Sequence, residues 1–310
     1  MSGAGSGWVG RCFGLRLYLA AVRIAFATHA GLEGLTPSDA LAAGELHRRG
    51  SSVVPIPWSF PADWLHFDAV VIRATWDYHT RPDEFLAWLR TLEEQRVPLW
   101  NSAPLARWNL HKGYLRDLER AGVAIVPTAW ISASLQPGSL EQLVRSRGWT
   151  DVVVKPAVSA SARATWRIAG TVSERDEHQF HALAAVVDVM VQPFIPSLVD
   201  EGEWSFVFLG GEFSHAVLKR AAPGDFRVQS NYGGTVARGT PPGEWVRQAR
   251  AALDPVPGPW LYARVDGCIV EGRFVLVELE LLEPDLFLNL EPDAPARFAE
   301  ALLECLRSKV

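Results

Sequence analysis

Lysine is almost missing from this chain: of 30 basic residues only Lys112, Lys155, Lys219 and Lys309 are lysine, and the rest are arginine. Where arginine is the default cation, an interior lysine marks a place that suits a compact charge on a flexible stem better than a planar fork. Cysteine is scarce as well. Cys12, Cys268 and Cys305 are odd in number, far apart and without C-x-x-C spacing, which argues against a disulfide framework or a zinc site and fits a reducing cytoplasm. No apolar run is long enough for a bilayer. The stretch 12–27 is broken by Arg16 and Arg23 and has no clean apolar core before a small-residue cleavage site, so neither a membrane span nor a secretory signal is expected. Excess positive charge is lacking too: 30 basic against 35 acidic residues leave −5, which gives no attraction to nucleic acid or to an anionic membrane. What remains is a globular chain of 310 residues, 48% hydrophobic, large enough for two or three lobes around a small-molecule site. A homodimer is left open.

The Gly/Ser-rich start, residues 1–21, is expected to be disordered and to stand apart from the fold. From Val22 to about residue 100, strands at 22–28, 52–56 and 68–73 alternate with helices at 37–50 and 82–96, predicting a parallel α/β lobe over 22–103 that binds ligands at the carboxyl ends of its strands. A helix over 104–121 leads into a middle segment, to residue 190, with strands near 123–131, 151–155 and 164–170, suited to a lid. The remainder, 191–310, is rich in strands and closes with a helix over 294–306, an α+β lobe.

Five places carry chemistry. Lys112 interrupts an apolar helical stripe shared with Trp108 and Leu115, either snorkelling at its rim or holding a charge in a crevice. Lys155 ends the run Val152-Val-Val-Val and is followed by a loop of small and hydroxyl residues including Ser159 and Ser161; such a loop suits a phosphate, although an ordinary surface loop has a similar composition. Asp266 precedes Phe274-Val-Leu-Val-Glu278-Leu-Glu280, whose period-two alternation puts Phe274, Leu276, Glu278 and Glu280 on one face, with the carboxylates about 7 Å apart. At that spacing their repulsion is about 2 kcal/mol, and a hard cation bridging phosphates relieves it. Asp266 joins them if the hairpin turns through three residues, Glu271-Gly272-Arg273; a two-residue turn sends it to the other face. Arg227 and Asn231, on a glycine-rich loop, suit an anionic intermediate, with an ordinary turn carrying charged flanks as the competing account. Thr75-Trp76-Asp77-Tyr78 follows a strand of the first lobe and is expected to face the substrate, the alternative being that Trp76 and Tyr78 are core aromatics.

This order of elements, helix lysine, strand lysine with its loop, Gln192-Pro193-Phe194, Glu201 and Glu203, Arg227, then Asp266, Glu278 and Glu280, resembles the ATP-grasp ligases over roughly residues 22–306. The stretches Arg73-Ala-Thr-Trp-Asp-Tyr78, Leu99-Trp-Asn-Ser102, Phe213-Ser-His-Ala-Val-Leu-Lys219 and Glu283-Pro-Asp-Leu-Phe287 are similar to the subgroup that contains D-cycloserine synthetase. The resemblance implies an ATP-grasp fold with an N-terminal α/β lobe, a central lid and a C-terminal α+β lobe. It implies ATP on Lys112, Lys155, Ser159 and Ser161, with adenine against Gln192 and Phe194 and ribose on Glu203 or Glu201. It also implies Mg²⁺ on Asp266, Glu278 and Glu280, and Arg227, Lys219 and Asn231 beside the reacting groups. The activity implied is a carboxylate–amine ligation of an amino-acid-like substrate through an acyl phosphate; a phosphotransferase or a silent nucleotide-binding regulator on the same fold are the rivals. Two departures stand out: the loop 157–165 has no glycine, and Glu280 stands where glutathione synthetases commonly carry asparagine.

Overall fold

In the computed structural model, which describes residues 22–159, 163–228 and 230–308, the alternation at the start of the chain closes into a parallel sheet. The stretch 1–21, expected to stand apart, lies outside the described residues. The strands β1 (Arg23–Thr28), β2 (Ser52–Pro57), β3 (Ala69–Ile72) and β4 (Leu99–Trp100) lie in the order β2-β1-β3-β4, every pairing parallel, joined through α1 (Pro37–Arg48) and α2 (Pro82–Glu94). Thr36 starts α1 by accepting the Asp39 N–H, with Pro37 at the first helical position. Phe85, Trp88, Leu89 and Leu92 form the stripe that α2 buries against Ala25, Ala27, Val70 and Ile72.

The helix expected over 104–121 is broken in two, α3 (Ala103–Leu110) and α4 (Tyr114–Arg120). At the break the Gly113 N–H donates to His111 Nδ1 (2.9 Å) and the Lys112 N–H donates to the carbonyl of Ala157 (2.8 Å). Both donors are thus taken from the helical ladder. Lys112 therefore shares no helix face with Trp108 and Leu115; it sits in the gap, and its side chain is free to turn inward.

A second sheet, antiparallel, follows: β5 (Ala129–Ile131), β6 (Asp151–Pro156), β7 (Trp166–Ala169) and β8 (Val189–Pro193), in the order β5-β8-β6-β7. The helices α5 (Leu140–Ser146) and α6 (Glu174–Ala184) cover it, burying Leu140, Val144 and Phe180 on Val152, Val154 and Val191. This sheet runs on to Pro193 rather than stopping at 190.

The third sheet comes after α7 (Ser197–Asp200): β9 (Glu203–Leu209), β10 (Glu212–Arg220), β11 (Thr235–Gly239), β12 (Tyr262–Val270) and β13 (Arg273–Glu280), in the order β11-β10-β9-β12-β13. Neither β11 nor α8 (Gly243–Ala251) stands out in the sequence, because β11 is short and largely exposed. The closing helix α9 (Ala294–Arg307) packs Phe298 and Leu302 between the first and third sheets, against Ile24 and Phe26 on one side and Val207 and Tyr262 on the other. Polar staples fasten the two sheets together. Asn101 accepts the Leu261 N–H and donates to the carbonyls of Tyr262 and Leu281, and Asn109 accepts the N–H groups of Leu281 and Leu282.

The hairpin β12–β13 departs from the expected loop. Val270 pairs with Arg273 across a two-residue turn, Glu271-Gly272, both at positive φ (50° and 79°), which is the conformation a tight hairpin favours. A bulge between Asp266 and Gly267 then adds one residue on β13, so that Asp266 still faces Glu278 and Arg264 faces Glu280. The three-residue loop was the wrong device; the bulge restores the same register.

Candidate active site

The bulge also decides where the carboxylates point. Phe274, Leu276, Leu279 and Leu281 all enter the main core, an alternation with a one-residue slip at Val277. Glu278 and Glu280 therefore do not share the face of Phe274 and Leu276, as strict alternation predicts; the slip turns them out of the core and into a cavity of about 370 Å³. Residues from all three sheets line this cavity: Trp76 and Tyr78 after β3, Lys155 on β6, Gln192 at the end of β8, Lys219 on β10, Arg264 and Asp266 on β12. The three interior lysines converge there, although more than a hundred residues separate the first from the last.

Each charge has an identifiable environment. Lys112 Nζ lies 2.9 Å from Glu278 Oε1 and donates to the Ser159 carbonyl (3.1 Å). Burial works against its charge, but Glu278 more than compensates, so Lys112 holds its proton more tightly than an ordinary lysine. Lys219 bridges Glu203 (2.7 Å) and Asp266 (2.8 Å). Arg264 pairs with both Asp266 and Glu280. Asp266 is consequently saturated: burial raises its pKa, but Arg264 and Lys219 outweigh that and hold it far below the usual carboxylate range. Glu280 goes the other way, pushed up to about 8 by burial and, despite Arg264, by Glu278 and Asp266 nearby. Lys155 stands alone. Its ammonium makes no ion pair or hydrogen bond among the described residues, and burial lowers its pKa.

Several expected residues are placed differently. Thr75 is fully buried and Asp77 points away from the cavity, held by Trp58 Nε1 (2.6 Å) and Arg81 (2.8 Å); of that loop only Trp76 and Tyr78 reach the site. Glu201 is exposed and outside the cavity, whereas Glu203 lines it. Asp266 is on the expected face but serves as a counter-ion to two cations instead of lying open. Arg227 and Asn231 line the mouth; Arg227 is gripped by Asp225 and stacks on Tyr232 at 3.5 Å. Gln192 spends its amide on Thr128 and Phe194 lies under Arg167, and both line the cavity with Ser159. Ser161 lies outside the described residues. Arg264 is the cation that the sequence underrates. The Arg-x-Asp spacing sets it on the face of Asp266.

A family model described as the N-terminal domain of D-cycloserine synthetase DcsG matches residues 24–101. The cycloserine biosynthesis protein DcsG of Streptomyces lavendulae is 32% identical over 268 residues, covering 79% of this chain and 85% of that protein. The chain belongs to the D-cycloserine synthetase family. A crystal structure of D-cycloserine synthetase DcsG superposes with a TM-score of 0.82 at 27% identity, covering 92% of this chain and 99% of that one. The D-alanine–D-alanine ligase of Bacillus anthracis gives 0.68 at 14% identity, covering 94% and 100%. The fold is thus ATP-grasp, and this member of the D-cycloserine synthetase family is an ATP-dependent ligase that forms carbon–nitrogen bonds.

Its cavity fits the groups such a ligase uses. An unpartnered lysine facing a space walled by Val153, Phe194, Ile195 and Leu198 suits a polyphosphate carrying an aromatic base. The carboxylates of Glu278 and Glu280 are hard oxygen donors of the kind Mg²⁺ takes. Among the described residues no three acidic, histidine or cysteine side chains converge as a finished metal cage, so phosphate oxygens are needed to complete the coordination. No helix among the described residues is long and apolar enough to cross a membrane.

Proposed function

We propose that this ligase activates the carboxylate of an amino-acid derivative as an acyl phosphate and closes a ring on it, as the cycloserine in its relatives' names suggests. The observation that carries the reading is the convergence of Lys112, Lys155, Lys219 and Arg264 on one cavity, with Lys155 left without a counter-ion among the described residues. Lys112 and Lys155 hold the nucleotide phosphates, Glu203 and the end of β8 hold the nucleoside, and Arg264 and Arg227 face the reacting centre. Glu278 and Glu280, with Asp266 behind them, would hold Mg²⁺, which supplies charge neutralisation between the phosphate oxygens when bound.

A substrate carboxylate oxygen attacks the γ-phosphorus, ADP leaves, and the acyl phosphate forms. The nitrogen at the other end of the same molecule attacks the acyl carbon, the C–O bond to phosphate breaks, and the nitrogen loses a proton. Arg264 stabilises the anionic oxygens through this sequence, and the fixed frame of β12 and β13 holds the two ends near each other. The cycloserine ring, opened at its C–N bond, is β-aminooxy-D-alanine, which is therefore the substrate to test. Expected are ADP and ring product in equal amounts, and a hydroxamate when hydroxylamine is added. ADP release with a stable phosphorylated product and no new C–N bond makes the protein a phosphotransferase; no ADP release with this or related aminooxy acids overturns the reading.

A further inference from the structure

The cavity lining carries two opposite charges without a partner side chain. Among the described residues Lys155 has no counter-ion. The carboxylate of Glu283, only 8% exposed and lining the same cavity, is met by its own backbone N–H but makes no hydrogen bond or ion pair with any other described residue. The cations around it are committed elsewhere: Lys112 to Glu278, Lys219 to Glu203 and Asp266, Arg264 to Asp266 and Glu280. A carboxylate removed from water without a partner is costly, and burial together with Glu278 pushes Glu283 up to about 7.

Its backbone is clamped in this position from three sides. Trp76 Nε1 donates to the Glu283 carbonyl (3.1 Å), Arg73 Nη2 donates to the Pro284 carbonyl (3.1 Å), and Asn109 Oδ1 accepts the Leu282 N–H (3.0 Å). Arg73 is itself fixed, fully buried against Asp39 at 2.7 Å. Trp76 and Tyr78 line the same cavity, and Glu283 is the charge with the largest influence on the Tyr78 phenol, whose pKa burial already raises well above the usual value. A carboxylate beside aromatic rings is the arrangement that recognises an organic cation.

Resting on the ring-closure reading above, we infer that Glu283, flanked by Trp76 and Tyr78, binds the ammonium group of the substrate and thereby selects an α-amino acid over its deamino analogue. The substrate is then bound as a zwitterion, its carboxylate toward the lysines and the phosphates and its ammonium toward Glu283. Trp76 is accordingly a binding residue, while Thr75 and Asp77 support the loop.

The test is calorimetric binding of D-cycloserine and of isoxazolidin-3-one, the same ring without its amine, to the wild type and to Glu283→Gln. Both are measured with ADP and Mg²⁺ present at about pH 7.3, above the value of about 7 for Glu283 and below the ~7.7 of an ordinary α-amino group. The wild type should prefer D-cycloserine by about tenfold or more. Glu283→Gln, an isosteric replacement, should erase that preference while its ADP affinity and melting temperature stay unchanged, and it should raise the KM for β-aminooxy-D-alanine more than it lowers kcat. Equal wild-type affinity for the two rings overturns the inference without any variant and leaves ring closure standing. A preserved preference in the variant, a loss confined to kcat, or a changed Mg²⁺ requirement in place of the lost preference also overturns it. Wild type that binds neither ring and turns over no aminooxy acid removes the ring-closure reading and this inference together.

Discussion

Lys112, Lys155 and Lys219 reach one cavity, yet each does something different: one balances a carboxylate, one bridges two, and one is left alone. The unpartnered one is the sharpest probe. Lys155→Met is expected to weaken ATP binding at least tenfold by equilibrium titration, about 1.4 kcal/mol or more, while leaving the melting temperature unchanged or slightly higher, since an uncompensated charge is removed from a desolvated position. Asp77 makes the opposite case. Its bonds to Trp58 and Arg81 brace the loop from behind, so Asp77→Ala should cost roughly 1–2 kcal/mol in urea unfolding with the substrate KM unaltered.

Among the elements, the β12–β13 hairpin shows how one inserted residue changes chemistry. Period-two alternation puts two glutamates on an apolar face; the bulge at Val277 leaves them neighbours but turns both to the cavity side, where Lys112 and Arg264 meet them. Gly267 makes this possible, because a Cβ there would stand 2.3 Å from the Val275 carbonyl oxygen and 2.5 Å from the Phe274 ring. Gly267→Ala should therefore lower the urea midpoint by an amount equivalent to about 2 kcal/mol. It should also impair ligation, whereas Gly272→Asn, at an open turn position of φ 79°, should be mild on both counts. The broken helix before Lys112 follows the same logic: a side-chain acceptor on His111 and a carbonyl from Ala157 outbid the helical ladder for two N–H groups.

The molecule as a whole is held around the cavity by buried polar contacts between its sheets and loops, and one of them titrates. His215 on β10 donates from Nε2 to the Leu286 carbonyl (3.0 Å) and accepts at Nδ1 from Ser214, next to the Asp285 and Phe287 that line the site. Burial, reinforced by Arg297, lowers its pKa from 6.5 to about 4. The fold therefore keeps His215 neutral while the unfolded chain protonates it. Stability from this source is full above about pH 6.5 and is lost as pH falls toward 4, by about 3 kcal/mol in all. His215→Gln should flatten that part of the stability–pH curve, measured by urea midpoints between those two values, although its midpoint at neutral pH will be lower.

The sequence by itself determined a good deal. Hydrophobic spacing in α2, the apolar strands β1 and β3 and the glycine and proline punctuation fixed the parallel lobe, because these signals are local and each element reports its own period. Residue type and order were enough to bring the lysines, Glu203 and the β13 glutamates into one proposed site. Tertiary structure alone decided which of them are free to act. Whether Asp266 is open or saturated depends on Lys219, 47 residues away; whether Glu278 faces core or cavity depends on a bulge; and the isolation of Glu283 follows from partners that every neighbouring cation finds elsewhere. Such facts belong to pairs of residues distant in the chain, and no periodicity within one element encodes them.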